Sequence, residues 1–176
     1  MPKEEPVVLA PYDPSWKEKF EKEKKLIRAT IGQWITGSVN HVGSTAIPGL
    51  SAKPIIDIMV GVANLENARP CIELLSKIGY QYYPYHTEYM HWLLKPSPEH
   101  RTHHLHIIAV SHQQYKARLA FRDYLLTHSK ARNDYEKLKT TLAKKYRNDR
   151  ETYTDAKTQF VKNIVTKALG SSVAFD

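Results

Sequence analysis

The spacing of apolar residues along the chain predicts a helix followed by two short strands. From Pro14 to Trp34, apolar side chains recur at the three-to-four spacing of one helix face, and Pro14-Ser15 is a typical helix start. The next apolar segments, 38–42 and 53–62, are short, β-branched and bounded by glycine, serine or proline, which favours strands. Because the second is almost continuously apolar, we expect it to be buried on both faces.

The rest of the chain predicts a mixed sheet and then helices. Segment 65–80 has helical spacing and ends at Gly79. Three short segments rich in aromatic or β-branched residues follow as predicted strands, the first two as an antiparallel pair: 80–86, 91–96 and 102–110. After them the pattern predicts three helices, over 112–128, 131–147 and 150–170.

These elements predict one α+β domain. The sequence contains no repeat of 20 to 50 residues and no flexible linker, so we expect a single domain over 1–176. Its α/β core covers 12–110, and a helical C-terminal half covers 111–170. The expected architecture is a mixed β-sheet packed against helices.

The charge of the chain is concentrated in the helical half. The net charge is +8, and residues 113–170 hold fourteen lysines and arginines against six acidic residues. Such a surface favours a nucleotide, another phosphorylated small molecule or nucleic acid, although the same charges are also typical of solvated helix faces. No signal-like or membrane-spanning apolar stretch is present, which predicts a cytoplasmic protein without a membrane partner. The single cysteine, Cys71, excludes a cysteine-cluster metal site.

A glycine-serine pair, Gly43-Ser44, follows the first predicted strand. Glycine permits close approach of the backbone to a ligand, and Ser44 can cap a short helix whose free amides would bind a phosphate oxygen. Lys53 would add a positive charge. By itself, the pair is more typical of an ordinary strand-to-helix turn.

Asp57 interrupts the apolar segment 53–62. Burial of an unpaired carboxylate is costly, so we expect a partner for it. That partner is either a divalent metal beside the phosphate site or, as a structural alternative, an ion pair with Lys157 or Arg122. The same two cations, in the basic helices, are candidates for holding phosphate groups.

His104 and His106 alternate with Leu105 on a predicted strand, so they share one face, and His103 points to the other. Together with Asp57 they would form a two-histidine, one-carboxylate site, which suits Zn²⁺, Mn²⁺ or Fe²⁺ better than Mg²⁺. The alternative is that the histidines hydrogen-bond neighbouring side chains. Further side chains of the predicted hairpin would either add ligands or be solvated: His86, Glu88 and His91.

Four blocks of the sequence, in order, resemble the GrpB family, also known as UPF0157: "HVGSTAIPGLSAKPIIDIMV", "HHLHI", "LAFRDYLLTH" and "DRETYTDAKTQFV". The resemblance implies a fold of the nucleotidyltransferase superfamily, a mixed sheet with a Gly-Ser turn followed by strand carboxylates. In that pattern Gly43 and Ser44 hold the triphosphate, and Asp57 is the first metal-binding carboxylate. Met59 stands where the second is expected, and a thioether is a poor ligand for a hard cation, so a two-magnesium centre is not expected.

The sequence therefore predicts a nucleotidyltransferase-like protein, with metal-dependent nucleotidyl transfer from a nucleoside triphosphate as the leading function. The predicted phosphate-binding residues are Gly43, Ser44, Lys53, Arg122 and Lys157. One divalent metal, Mg²⁺, Mn²⁺ or Zn²⁺, would be held by Asp57, the catalytic residue, with His104 and His106. Two alternatives stay open: a non-catalytic nucleotide or nucleic-acid binding module, favoured by Met59, and a metal-dependent hydrolase.

Overall fold

The computed structural model describes residues 6–170, which form six α-helices, two short 3₁₀ helices and five strands. The helices are α1 (Ser15–Ile31), α2 (Cys71–Ser76), α3 (Gln113–Thr127), α4 (Ser129–Lys145), α5 (Arg150–Asp155) and α6 (Thr158–Leu169), with 3₁₀ turns at Gly32–Trp34 and Ser44–Ala46. The strands are β1 (Ile35–Val42), β2 (Ile56–Val62), β3 (Gln81–Tyr83), β4 (Met90–Pro96) and β5 (Arg101–Ala109). Within this range, none of the helices has the length and apolar character needed to cross a membrane.

The five strands form one mixed sheet in the order β1-β2-β5-β4-β3. The central strands β2 and β5 are parallel, and every other neighbouring pair is antiparallel, including the predicted β3–β4 pair. The predicted mixed α+β fold is thus confirmed. In the parallel pair, Asp57 lies opposite His104 and Met59 lies opposite His106. Because side chains alternate along a strand, these four residues share one face.

Helices α1 and α2 cover the other face and enclose the main apolar core. Large aliphatic residues of β2 and β5 meet the apolar stripe of α1, each contributing about 1.5–3 kcal/mol by burial. The core includes Trp16, Phe20, Ile27, Ile31, Ile56, Ile58, Val60, Cys71, Leu75, Leu105 and Ile107. The helical spacing of the first segment is therefore the pattern of this buried stripe.

The C-terminal helices pack on the face that carries Asp57. Tyr115 and Leu119 of α3 contact an apolar cluster that includes Met59. Farther along, Tyr135 of α4 stacks on Phe160 of α6, with ring centres 5.1 Å apart. This face is therefore apolar beneath the first turns of α3 and polar around Asp57.

The single helix predicted over 150–170 is wrong, because α5 and α6 are separate helices divided at residues 156–157. Tyr153 packs in an apolar cluster with α4 and the N-terminal segment. Phe160 packs against a different cluster, between α3 and α4. A straight helix presents one apolar stripe and cannot serve both clusters, so the chain turns between them.

Helix α2 is shorter than the predicted helix over 65–80. It begins after Pro70, whose φ of −59° suits the start of a helix. The residues before Pro70 form turns, and the chain leaves the helical conformation before Gly79, which has a φ of +95°. The predicted element exists, with its ends set by a proline and a glycine.

Candidate functional site

Asp57, His104 and His106 meet on the face of the sheet that carries the C-terminal helices. Nδ1 of His104 lies 3.1 Å from Oδ1 of Asp57, and Nε2 of His106 lies 3.5 Å from the same oxygen. One potential ligand atom from each residue lies within 4.8 Å of the other two. His103 points to the opposite face, toward Glu23, as strand alternation predicts. We call the three converging residues the Asp-His cluster.

The Asp-His cluster is largely withdrawn from solvent and carries one negative charge at neutral pH. The side chains are 30% exposed for Asp57, 13% for His104 and 10% for His106. Burial by itself would raise the pKa of Asp57, but its interactions with the two histidines outweigh burial and hold that pKa well below its usual range. Burial lowers the pKa of both histidines, to about 4 for His106, where Arg118 adds to the effect. An ionised carboxylate thus faces two neutral imidazoles.

Geometry and donor type both suit a divalent metal. Zinc binds nitrogen and oxygen ligands at about 2.0–2.2 Å, which separates neighbouring ligand atoms by about 2.8–3.6 Å in octahedral or tetrahedral geometry. The two nitrogen–oxygen distances in the Asp-His cluster fall in that range. Two imidazoles and a carboxylate suit zinc, manganese or ferrous iron, whereas magnesium prefers oxygen ligands.

Each histidine of the Asp-His cluster is held only on the nitrogen that faces Asp57. The outer atoms, Nε2 of His104 and Nδ1 of His106, are buried and have no hydrogen-bond partner among residues 6–170. Trp92 packs against the His104 ring, with ring centres 5.2 Å apart and planes at 65°. Leaving a buried polar atom unpaired costs about 1–3 kcal/mol, and a metal on the two inner nitrogens would not remove that cost.

Gly43 allows the carboxylate of Asp57 to lie directly against the turn after β1. The φ of Gly43 is +72°, a conformation that other residues rarely adopt. A Cβ atom at this position would lie 2.6 Å from Oδ2 of Asp57. Both the backbone conformation and the close contact therefore require glycine.

Ser44 is the first residue of the 3₁₀ turn Ser44–Ala46, and the prediction that it caps a helix is wrong. The capping position is Gly43, and no side chain caps the turn. Three residues are also too few to build a helix dipole, so free helix amides do not support a phosphate site here. Ser44 instead lies at Tyr135 of α4, whose pKa burial raises to about 12 against the opposing effect of a hydrogen bond with Ser44. A phosphate role for Gly43 and Ser44 stays a prediction.

Basic side chains gather beside the Asp-His cluster, and we call the following four the cationic cluster: Lys53, Lys139, Arg150 and Lys157. The ammonium groups of Lys157 and Lys53 lie 4.0 and 5.6 Å from the ring centre of Tyr153. Burial and the charges of the other three cations together lower the pKa of Lys157 to about 7, against the opposing charge of Asp57. Repulsion within the cationic cluster thus favours an anion among them.

Lys139 and Lys157 differ in how far their charges are already satisfied. Lys139 is buried and donates to the backbone carbonyl of Ser51, and burial lowers its pKa to about 8. Across residues 6–170, Lys157 forms no salt bridge with a carboxylate, although the charge of Asp57 acts on it. Lys139 therefore has a structural role, whereas Lys157 remains available to a ligand.

The ion pairs expected as the structural alternative for Asp57 do not form. In the described part of the chain, the side chains paired with Asp57 are those of His104 and His106, and not those of Lys157 or Arg122. The long-range charge of Asp57 does reach Lys157. Asp57 is therefore held by groups that are neutral at pH 7.

Arg122 lies beside the Asp-His cluster and is not part of it. Its guanidinium donates to the carbonyl of His41 at 3.1 Å and to Asp123 at 2.7 Å. Arg118, one turn earlier on α3, is the arginine whose charge acts on His106, and sequence reasoning missed it. Its four-residue spacing from Arg122, on the same helix face, is the signal that could have identified it.

The remaining candidate ligands lie elsewhere. His86 pairs with Glu88 at 3.0 Å in the β3–β4 loop. His91 hydrogen-bonds the carbonyl of Leu65 at 2.8 Å, on the face opposite Asp57. Met59 is fully buried in the apolar cluster beneath α3, so an apolar side chain fills the position of a second carboxylate.

The fold and site define an α+β protein with a carboxylate–histidine cluster at the centre of a mixed sheet. The family model described as "GrpB protein" matches residues 6–167. The chain therefore belongs to the GrpB family, which confirms the resemblance seen in the sequence.

Individual relatives agree with this assignment. The chain is 36% identical over 170 residues to glutamate-rich protein GrpB of Alkalihalophilus pseudofirmus, covering 92% of this chain and 95% of that protein. The crystal structure of conserved protein GrpB from Enterococcus faecalis has a TM-score of 0.84 and 33% identity, covering 93% of this chain and 98% of the other. A shorter match, 37% identical over 78 residues, covers 43% of this chain and 19% of a dephospho-CoA kinase of Mycolicibacterium paratuberculosis.

Proposed function

We propose that the protein binds one divalent metal through Asp57, His104 and His106 and transfers the nucleotidyl group of a nucleoside triphosphate. The observation that carries the proposal is the convergence of three donor atoms, at 3.1 and 3.5 Å, beside a group of cations. The partial similarity to a dephospho-CoA kinase supports a nucleotide-related role. The resemblance of the Gly43–Asp57 region to nucleotidyltransferases supports the choice of reaction.

The charges around the site make metal binding and phosphate binding depend on each other. A divalent cation bound alone would be repelled by the cationic cluster, and a phosphate bound alone would be repelled by Asp57. Two unit charges 4 Å apart interact by about 1 kcal/mol in water and about 4 kcal/mol near a protein surface. When a metal and a phosphate bind together, the metal offsets the charge of Asp57 and the phosphate offsets that of the cationic cluster. Each ligand therefore raises the affinity for the other.

Each residue has a separate role in this proposal. Asp57 supplies negative charge, while His104 and His106 supply two neutral donors and leave coordination positions for a phosphate oxygen. A bound metal would polarise that oxygen as a Lewis acid. Lys157, which is only partly protonated at pH 7, becomes fully protonated when phosphate binds, because the anion raises its pKa from about 7. Lys53, on the same Tyr153 ring, holds a second oxygen.

Met59 favours a second candidate, a nucleotide-binding module without turnover. Met59 is buried opposite His106, at the position where a two-metal transferase has its second metal-binding carboxylate. This carboxylate is therefore missing. A single metal still provides charge stabilisation for transfer, so the two candidates share one site and differ in product. The metal-dependent hydrolase differs again, because water then replaces the acceptor.

Titration calorimetry with Mn²⁺ and Zn²⁺, with and without ATP, tests the shared site. We expect ATP to tighten metal binding by about 10-fold, a typical coupling between sites. We expect Asp57→Asn to weaken metal binding by more than 10-fold and the control Asp134→Asn to bind normally, since Asp134 pairs with Lys130 at the surface. Metal binding that is absent from the wild type, or unchanged in Asp57→Asn, would overturn the proposal.

Product analysis separates the candidates. With labelled nucleoside triphosphates, divalent metal and RNA or small-molecule acceptors, nucleotidyl transfer releases pyrophosphate. A hydrolase releases phosphate or pyrophosphate without a labelled adduct, and a binding module releases neither. Loss of the product in Asp57→Asn, but not in Asp134→Asn, assigns the reaction to this site.

A further inference from the structure

Two aromatic rings lead from the Asp-His cluster to the surface. The ring centre of Trp92 lies 5.2 Å from that of His104, and the ring centre of Tyr85 lies 5.6 Å from that of Trp92. Trp92 is on β4, the neighbour of β5, and Tyr85 is in the loop between β3 and β4. We call Tyr85 and Trp92 the aromatic wall. It starts at a candidate metal ligand and ends in solvent.

Tyr85 offers an open ring surface. Its exposed fraction is 53%, and among the large apolar side chains that are exposed within residues 6–170 it is the one aromatic. Trp92 is half-buried beneath it. The exposed ring and the half-buried ring together form an aromatic surface on which a planar ligand can stack.

Charged groups from the C-terminal helices lie near Tyr85. Burial raises the pKa of the Tyr85 hydroxyl, the charges of Asp155 and Glu151 raise it further, and Arg118 lowers it. Asp155 and Glu151 are exposed residues of α5, and Arg118 on α3 also acts on the Asp-His cluster. Charges of two C-terminal helices therefore act on the Tyr85 end of the aromatic wall.

We propose that the aromatic wall stacks the planar base of a nucleotide whose phosphates lie at the Asp-His cluster. This inference rests on the function proposed above, and it adds the residues that contact the base, a part that an inorganic polyphosphate or a sugar phosphate lacks. In a nucleotide, the ribose separates the base from the α-phosphate, and Trp92 separates Tyr85 from His104 in the same way. The base is thus assigned to the exposed end of the aromatic wall and the phosphate to the end at His104.

The same geometry sets the expected selectivity. Every base has a π-face, so stacking on an aromatic ring tolerates many bases and gives affinity rather than strict base choice. When ionised, Glu151 and Asp155 accept hydrogen bonds and donate none, so they suit ribose hydroxyls or exocyclic amines. We therefore expect purine nucleotides to bind best, because their larger rings cover more of the wall, with pyrimidines weaker but bound.

A comparison of ATP with inorganic tripolyphosphate, both in Mn²⁺, tests the inference by calorimetry. We expect the wild type to bind ATP about 5- to 150-fold more tightly, which is the affinity that stacking of one base contributes. Tyr85→Ala removes that difference and leaves tripolyphosphate binding unchanged, whereas Tyr85→Phe keeps it. The matched control is Tyr124→Ala, since Tyr124 stacks on His128 at 3.7 Å, outside the site.

The outcomes separate this inference from the proposed function. Equal affinity of the wild type for ATP and tripolyphosphate overturns the aromatic wall and leaves the metal-phosphate site standing. Equal loss of both ligands in Tyr85→Ala also overturns it, since a stacking ring does not hold phosphate. If neither ligand binds in the presence of metal, the proposed function fails and the inference fails with it.

Discussion

A carboxylate lies close to each face of the central sheet, and the two are neutralised in different ways. Glu23 of α1 is buried on the apolar face, within reach of Lys95 at 2.5 Å and of the Tyr80 hydroxyl, which donates at 2.8 Å. His103 adds a weaker contact at 3.9 Å. All of these partners come from the chain itself. We therefore call Glu23 the closed carboxylate, because its charge is already paired, and Asp57 the open one.

Asp57, on the other face, is met by two neutral imidazoles and is more exposed, with 30% of its side chain accessible against 8% for Glu23. Its charge acts on Lys157, yet within residues 6–170 neither Lys157 nor Arg122 forms a salt bridge with it. A buried carboxylate that serves only structure is expected to end like Glu23, in an ion pair. This difference supports the proposal that Asp57 binds an outside cation.

Removal of the closed carboxylate should have the largest effect on stability. Glu23→Ala leaves the largely buried Lys95 ammonium, with its side chain 16% exposed, without its carboxylate, which costs about 3–5 kcal/mol. Chemical denaturation measures the change, with Glu21→Ala, an exposed glutamate of the same helix, as the control near zero. Metal affinity should not change in either variant, and a Glu23→Ala protein of wild-type stability would show that the closed group contributes nothing.

A side chain at Gly43 should disturb the open carboxylate. Gly43→Ala combines a strained backbone with a contact to Asp57, and we expect a loss of about 2–4 kcal/mol and weaker metal binding. Gly49→Ala is the control, because Gly49 has a φ of +86° but no atom within 4 Å of the place that a Cβ would occupy. It should cost about 1–2 kcal/mol and leave metal binding intact. Equal effects of the two substitutions on metal binding would contradict the role assigned to Gly43.

Lys157, on the open side of the sheet, should make the stability of the protein depend on pH. The lowered pKa of Lys157, about 7, means that the unfolded chain holds its proton more tightly than the folded protein. The stability cost is therefore full below pH 7 and is relieved as pH rises toward the unfolded pKa. Lys157→Met should stabilise the free protein by about 1 kcal/mol at pH 6, as measured by chemical denaturation.

Loss of the Lys157 charge, which should raise stability, should lower the affinity for phosphate. Affinity for tripolyphosphate with Mn²⁺ should fall as pH rises through about 7 in the wild type, because Lys157 loses its charge. Lys157→Met should bind weakly with a flatter pH profile. Lys139→Met is the contrast, since it strips the Ser51 carbonyl of its donor and should lower stability. A Lys157→Met protein that binds as tightly as the wild type would remove Lys157 from the site.

Periodicity was enough to predict the sheet and which histidines share a face. His104 and His106 lie on one side of β5 and His103 on the other because alternation is a property of any strand. The sequence could not predict the register that sets Asp57 opposite His104. These two residues are 47 positions apart, and their register depends on how the whole sheet packs.

The surroundings of the Asp-His cluster were harder to predict than the cluster itself. The break between α5 and α6 moves Lys157 off the regular helical stripe, and it follows from two separate apolar clusters that the sequence does not reveal. The roles assigned to Arg118 and Tyr85 depend on residues of other helices and strands that lie near them in the fold. Local patterns therefore identified the donors, and tertiary packing determined the charges and rings around them.

The most direct test of the central claim is anomalous diffraction from crystals grown with Zn²⁺, with data collected on both sides of the zinc absorption edge. We predict a zinc-specific peak about 2.0–2.2 Å from a carboxylate oxygen of Asp57, Nδ1 of His104 and Nε2 of His106. The peak should be absent from crystals of Asp57→Asn. Zinc found only at other positions, or no zinc peak between these three residues, would contradict the account.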